Sequence, residues 1–306
     1  MDYLEFGELI NVIKKLKMKN NLVLLLLVLV FAVGCKKKSQ TEESYHKGSL
    51  TITTDESFKS VTEALADGYM ISYPDSKITV ETQKEDLAFM DLLEKKSKLI
   101  VMSRDLTIKE ISEFERLLQT KYTPAKFAAD GLVFVVSKDS PKEFITLEEI
   151  NEGLASDEKP FVFDGTNSSN LNFIAQKVGK KPSELKFGII KGNQNVIKQI
   201  NDFPGKIGVI GLNTISRPYD KTSEELRNQV KILPIKVDGK LMTANSTSLS
   251  TMQYPFTRVL YFLTSDGSFN LAAGFIRYSC TDLGQKIVDK EGIQPYNIYK
   301  RQVQMR

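Results

Sequence analysis

Residues 131–137 read GLVFVVS, an apolar run with nothing polar between its first glycine and its last serine. Such a run suits a strand buried on both faces, as the central strands of an α/β sheet are. Residues 254–263, YPFTRVLYFL, form a second run of the same kind. If the two pair, they carry the chain out of one lobe and back again. The first lobe then takes residues 48–130 together with 256–306, and the second takes 131–255, the hinge strand included.

From residue 48 onward, short β-rich runs alternate with helical patterns, the order expected of an α/β fold with mostly parallel strands. Further strands are predicted at Leu50–Thr53, Lys77–Glu81, Leu99–Ser103, Phe161–Phe163, Lys206–Ile210 and Val230–Ile235, with Arg258–Leu263 as the body of the second run. Thr107 with Glu110 and Thr146 with Glu149 fit the capping box, in which a hydroxyl and a carboxylate each satisfy a free N–H. Leu87, Met90, Leu92 and Leu93 mark one face of a helix, and Phe269, Ala272, Ala273, Phe275 and Ile276 mark a face of another. The second stripe reads as core rather than chemistry.

A chain of 306 residues that is 41% hydrophobic can bury a large core in one or two domains. Its 42 basic and 38 acidic side chains are mixed along the sequence, which leaves no basic stripe for nucleic acid. His46 is the single histidine and precedes the folded region, so a Ser–His–Asp or Cys–His arrangement and a histidine metal site are excluded from the fold. There is no P-loop and no GxGxxG. Neither an enzyme nor a cofactor or metal is expected.

The N-terminal region carries LVLLLLVLVFAV, Leu22–Val33, preceded by Lys14, Lys15, Lys17 and Lys19. The run falls short of the roughly 20 residues a spanning helix needs, but it suits the apolar region of a secretory signal. It ends in Ala32-Val33-Gly34-Cys35, which resembles the lipobox of bacterial lipoproteins. That resemblance implies a signal peptide over 1–34, lipidation at Cys35 and a polar tether over 35–47, with Met18 as the start of the gene product. Cys280 reads as a small buried residue, and no disulfide framework follows from it.

In open α/β sheets, ligands bind beyond the carboxyl ends of strands, where helix starts present free N–H groups. Polar residues gather at such junctions in Thr54–Ser57, Ser103–Asp105, Asp164–Asn170 and Gly211–Thr214. Each junction alone is an ordinary set of N-caps; their recurrence in both expected lobes points to a ligand site.

Several elements in order then resemble the phosphate-type substrate-binding proteins of ABC importers, specifically a Bacteroidetes lipoprotein branch. They are TTDESF (53–58), MSRDLTIKE (102–110), DGLVFVVSKDSP (130–141), FVFDGTNSSN (161–170), GKIGVIGLNTIS (205–216), YPFTRVLYFL (254–263) and GFIRYSCTDLGQKIVDKEGIQP (274–295). The resemblance implies a two-lobed type II periplasmic-binding-protein fold with two hinge-crossing strands. It also implies a monomer, lipid-anchored at Cys35 and facing the periplasm, that delivers inorganic phosphate or a similar oxyanion to an ABC permease and its ATPase. The alternatives are a binding protein for another small oxyanion and a sensory or interaction lipoprotein that kept the fold without transport.

Carried over residue by residue, the resemblance implies ligand-binding roles for Ser57, Ser103, Arg104, Ser168, Ser169 and Asn170, and Asp164 and Thr166 of the same loop are expected to join them. Many phosphate binders carry a carboxylate where this chain has Arg104 and an arginine where it has Asp164. The expectation is therefore that Arg104 donates charge-assisted hydrogen bonds to the anion from one lobe. Asp164 would accept the ligand's proton from the other, against sulfate, which has none.

Overall fold

The computed structural model describes residues 44–297. In chain order the strands are β1 (Gly48–Thr54), β2 (Ser76–Thr82), β3 (Leu99–Met102), β4 (Ala125–Ser137), β5 (Ile145–Thr146), β6 (Phe161–Phe163) and β7 (Gly188–Ile189). They continue with β8 (Ile207–Gly211), β9 (Val230–Leu233), β10 (Ile235–Val237), β11 (Lys240–Met242), β12 (Thr257–Thr264) and β13 (Gln294–Pro295). The helices are α1 (Lys59–Ser72), α2 (Glu85–Leu93), α3 (Ile108–Leu118), α4 (Leu147–Gly153), α5 (Ser169–Lys177), α6 (Asn193–Gln199), α7 (Lys221–Arg227), α8 (Ser246–Ser250), α9 (Leu271–Ser279) and α10 (Asp282–Lys290). Cys35, Met18 and residues 1–34 lie outside the described residues.

The large sheet runs β2-β1-β3-β12-β4-β8-β6-β7, with β9 and β13 also paired to β4. β4 is the strand both halves share. Its first half pairs antiparallel with β12, from Ala125 opposite Phe262 to Gly131 opposite Thr257. Its second half leaves that partner and pairs with β8 and β9 over Leu132–Ser137. The two apolar runs therefore do lie side by side, but along Ala125–Gly131, upstream of GLVFVVS, whose remaining residues form the centre of the second lobe. The chain thus has the two-lobed α/β architecture expected of it. The expectation of mostly parallel strands holds for β1 with β2 and β3 and for β6 with β7 and β8; the middle of the sheet is antiparallel because β12 must return beside β4.

Each half closes its own core. Ile52, Phe58, Leu65, Tyr69, Phe127, Phe262 and Phe275 pack on one face of the first half, with the Phe127 and Phe262 rings stacked 4.2 Å apart. Phe89, Met102, Phe114 and Tyr261 pack on its other face. Phe134, Phe161, Phe163, Val209 and Ile210 centre the second half. Residues 44–297 belong to one compact unit.

Several local expectations change. Both capping boxes are present, at Thr107 and Thr146. The stripe foreseen after β2 is wrong in phase: Leu87 and Met90 are exposed, whereas Ala88, Phe89 and Leu92 are buried. Phe269 precedes α9 and is exposed, while Leu271, Ala272, Phe275 and Tyr278 carry its buried face. The strand foreseen over Val230–Ile235 breaks at Pro234, which has no N–H to give to a ladder. Of the tether foreseen over 35–47, residues 35–43 lie outside the described residues. His46 stacks on Tyr73 at 4.0 Å and Tyr45 meets Phe269 edge-on, so Ser44–Lys47 are docked on the first half.

Candidate functional site

The carboxyl end of β1 leads into Asp55, the N-cap of a short 3-10 turn at Glu56–Phe58, and the carboxyl end of β6 leads through Asp164–Asn167 into α5. These two junctions face each other between the lobes. The Asp55 Oδ1 accepts the Ser57 N–H at 3.0 Å, an ordinary capping bond. Its Oδ2 accepts the Ser169 N–H, also at 3.0 Å, from the first residue of α5 in the other half. The α5 N-cap, Ser168, spends its side chain locally, accepting from Leu171 and donating to the Gly165 carbonyl.

Around this carboxylate the polar side chains form a closed set of bonds. The Ser57 hydroxyl donates to Asn170 Oδ1 at 3.2 Å and accepts from Asn193 Nδ2 at 3.1 Å and from the Ser169 hydroxyl at 3.3 Å. The Asn170 amide donates to Asp164 Oδ1 at 3.0 Å and to Asn193 Oδ1 at 2.8 Å. The Lys84 ammonium donates to Asp164 Oδ2 at 2.6 Å and to the Asp164 carbonyl at 3.1 Å. Asp55, Ser57, Asp164, Ser169, Asn170 and Asn193 are all buried.

Lys84 is bonded to Asp164 and lies within electrostatic reach of Asp55. Burial and the nearby Asp55 charge push the Asp164 carboxyl above its ordinary range, against the lowering influence of Lys84. Burial works against the Lys84 charge, but Asp164, Asp55 and Glu56 outweigh it and raise that group. The cleft therefore presents N–H, amide and hydroxyl donors in quantity, with the Lys84 ammonium bonded among them.

Beneath this layer, Arg258 of β12 and Asp130 of β4 form a fully buried pair, with Arg258 Nε and Nη2 donating to Asp130 Oδ2 at 3.0 and 2.8 Å. The guanidinium lies over the Phe58 ring at 4.5 Å and within 6.0 Å of Phe173, one ring from each half. A Cβ on Gly211 would sit 2.6 Å from Arg258 Nη2 and 3.0 Å from Ser57 Cβ, so only glycine fits between site and floor. A cavity of about 490 Å³ meets the site at Glu56 and Ser57, and another of about 420 Å³ reaches Ser103, Phe173 and Arg258.

The structure brings Ser57, Asp164, Ser169 and Asn170 together and places Ser168 behind them as a cap. Arg104 is elsewhere engaged. It grips Glu110 through both terminal nitrogens at 3.1 and 2.7 Å, bonds Asp86 at 3.1 Å and lies 3.9 Å from Glu85. Burial opposes its charge, yet Glu110, Glu85 and Asp86 hold it above its ordinary value. An arginine held by three carboxylates has no fork left for an anion, so the donor role expected of Arg104 fails and Lys84 faces Asp164 in its place. Ser103 gives both its N–H and its hydroxyl to Glu85, at 2.6 and 2.8 Å, and so is not part of the bonded cluster. Thr166 is exposed at the turn before α5 and lies outside the cluster. Cys35 lies outside the described residues.

Asp55, Lys84 and Asn193 are the residues that sequence reasoning did not single out. Asp55 stood inside the Thr54–Ser57 junction without a role, and the polar start of α6 after Gly192 was a further strand-to-helix junction that could have been searched. Among the described residues, no group of three histidine, cysteine or acidic side chains is placed to hold a metal ion, and no helix is long and apolar enough to cross a membrane.

A family model described as "PBP superfamily domain" matches residues 39–282. The phosphate-binding protein PstS of Bacillus subtilis (strain 168) is 24% identical over 297 residues, spanning 90% of this chain and 94% of that protein. A Clostridium perfringens crystal structure with bound phosphate superposes with a TM-score of 0.65 at 21% identity, covering 80% of this chain and 98% of the other. An ABC-type phosphate transport receptor from Vibrio cholerae superposes with a TM-score of 0.59 at 18% identity, covering 80% and 99%.

Proposed function

This chain belongs to the PBP superfamily, and on that footing we propose that it is an extracytoplasmic solute-binding protein that captures phosphate between its lobes and delivers it to an ABC permease. One observation carries the proposal. Two backbone N–H groups, on Ser57 and Ser169, come from helix or turn starts in different halves of the chain and converge on one buried carboxylate at 3.0 Å each. A place that holds a carboxylate between two such donors suits the oxygens of an anion. Ser57 and Ser169 hydroxyls, the Asn170 and Asn193 amides and the Lys84 ammonium surround it, enough donors to coordinate a tetrahedral oxyanion on several sides.

Asp164 keeps its proposed role as reader of the ligand's proton, with Lys84 rather than Arg104 as the neighbouring cation. Phosphate near neutral pH still donates one hydrogen bond, and sulfate does not. Facing sulfate, a buried carboxylate would be left acceptor to acceptor, a penalty of about 1–3 kcal/mol or more. Lipidation at Cys35 and a periplasm-facing position complete the proposal. The relatives named above support transport over catalysis.

Calorimetry on protein lacking residues 1–38 tests it. Phosphate is expected to bind at least about fivefold more tightly than sulfate, a conversion of the lower end of that penalty. Equal affinity for the two would remove Asp164 from the recognition scheme, and tighter binding of another oxyanion would reassign the ligand.

A further inference from the structure

We propose that Asp55 is a resident occupant of the oxyanion position: its carboxylate clamps the ligand-free cleft shut, and an incoming anion binds by displacing it. This rests on the reading of the cleft as an oxyanion site and adds how that site is filled when empty of ligand.

Asp55 does more than cap. An N-cap carboxylate satisfies one or two N–H groups of its own helix and leaves its outer oxygen to water. Here the outer oxygen crosses to Ser169, a residue 114 positions away, and takes an N–H that the α5 cap leaves over. One side chain thus satisfies an orphan donor on each lobe, as a bound anion would. It does so with its side chain fully buried.

Charge excludes a second anion beside it. Asp164 is bonded to the Lys84 ammonium, Asp55 and Glu56 lie within its electrostatic reach, and burial with both aspartates pushes the Glu56 carboxyl up against the pull of Lys84. An added oxyanion would join two buried aspartates beside Lys84, with both converging N–H donors already taken. Buried charge without a partner is among the costliest arrangements a protein can hold. Carboxylate and ligand must therefore exchange.

Further contacts cross the cleft beside Asp55. Gln176 of α5 and Asp105 exchange two hydrogen bonds at 3.0 Å, and Asp86 N–H reaches the Asn167 carbonyl at 3.3 Å. Every such contact holds the lobes together, as do the bonds from Ser57 to Asn170 and Asn193 and from Lys84 to Asp164, and Asp55 does so while occupying both converging N–H groups. A protein closed in this way binds its anion with an apparent affinity reduced by the work of displacing the occupant.

The test uses Asp55→Ser in protein lacking residues 1–38, with wild type beside it. Serine keeps a capping hydroxyl for Ser57 but is too short to reach Ser169. Ligand-free Asp55→Ser is expected to show a larger radius of gyration by small-angle scattering. Formate should restore the compact value by occupying the vacated place, and inorganic phosphate should bind about tenfold more tightly than to wild type. Unchanged scattering, with wild type still binding phosphate, would overturn the clamp and leave the oxyanion reading standing. Expansion that neither formate nor phosphate reverses, with no phosphate bound by either protein, would overturn both the exchange and the oxyanion reading. Asp55→Asn, which keeps the shape and removes the charge, guards against a folding defect in the serine variant.

Discussion

Arg258→Met is expected to lower the free energy of unfolding by about 3–5 kcal/mol, because it leaves Asp130 charged and buried with its cation gone. Both side chains have no exposure. Asp130 would keep the Asn213 N–H on Oδ1 at 3.1 Å, but Oδ2 would lose two donors at once. Burial already pushes the Asp130 carboxyl above its ordinary range even with Arg258 beside it, so loss of the arginine should favour the protonated acid. Its folded pKa is then raised further above the unfolded value, and the defect should shrink as pH falls through that range and be largest at neutral pH. The double variant Asp130→Asn with Arg258→Met retains an acceptor for Asn213 and removes both charges. It should recover most of the loss, measured by denaturant unfolding at constant slope. A single variant as stable as wild type would show that the pair contributes nothing to joining β4 and β12.

Ser169→Pro should weaken phosphate binding by about 10- to 100-fold with little change in stability, since a hydrogen bond to a charged acceptor is worth about 1.5–3 kcal/mol. Ser169 is the first residue of α5, where proline is well tolerated because the N–H has no partner within the helix. Ser168 before it has φ −80 and ψ 154, the extended backbone that a following proline requires. The substitution therefore deletes two donors from the cleft, the Ser169 N–H and its hydroxyl, and leaves the helix in place. It also removes the Asp55 bond, so the ligand-free protein should open. Retained affinity would locate the anion away from the start of α5.

The strands were legible because short apolar runs rich in aromatic and β-branched residues, such as Phe161–Phe163 and Leu99–Met102, can hardly be anything else when polar turns bound them. The capping boxes were legible because their logic spans only three residues. Leu87 and Met90 were misread because a nine-residue helix gives too few turns to fix its phase. The site was half legible. Ser57, Asp164, Ser169 and Asn170 stood at strand-to-helix junctions, where fold class alone concentrates ligand contacts.

Charge partners were not legible. Arg104 and Asp164 looked like an exchanged pair along the chain, yet Arg104 is held by Glu110 six residues on and by Asp86 eighteen residues back. Lys84, one lysine among many, reaches Asp164 across 80 residues. Long flexible cations can be matched to a carboxylate only once the backbone is placed. Asp130 and Arg258 left a clearer trace, as charges set inside the apolar strands β4 and β12, where burial without a partner would be prohibitive.

The most direct measurement of the central claim is amide NMR during a phosphate titration of isotopically labelled protein lacking residues 1–38. The Ser57 and Ser169 amide protons should both move downfield, along one saturation curve, as they pass from the Asp55 carboxylate to the ligand. If both resonances stay fixed while amides elsewhere titrate, the anion binds outside this cleft and the account is wrong.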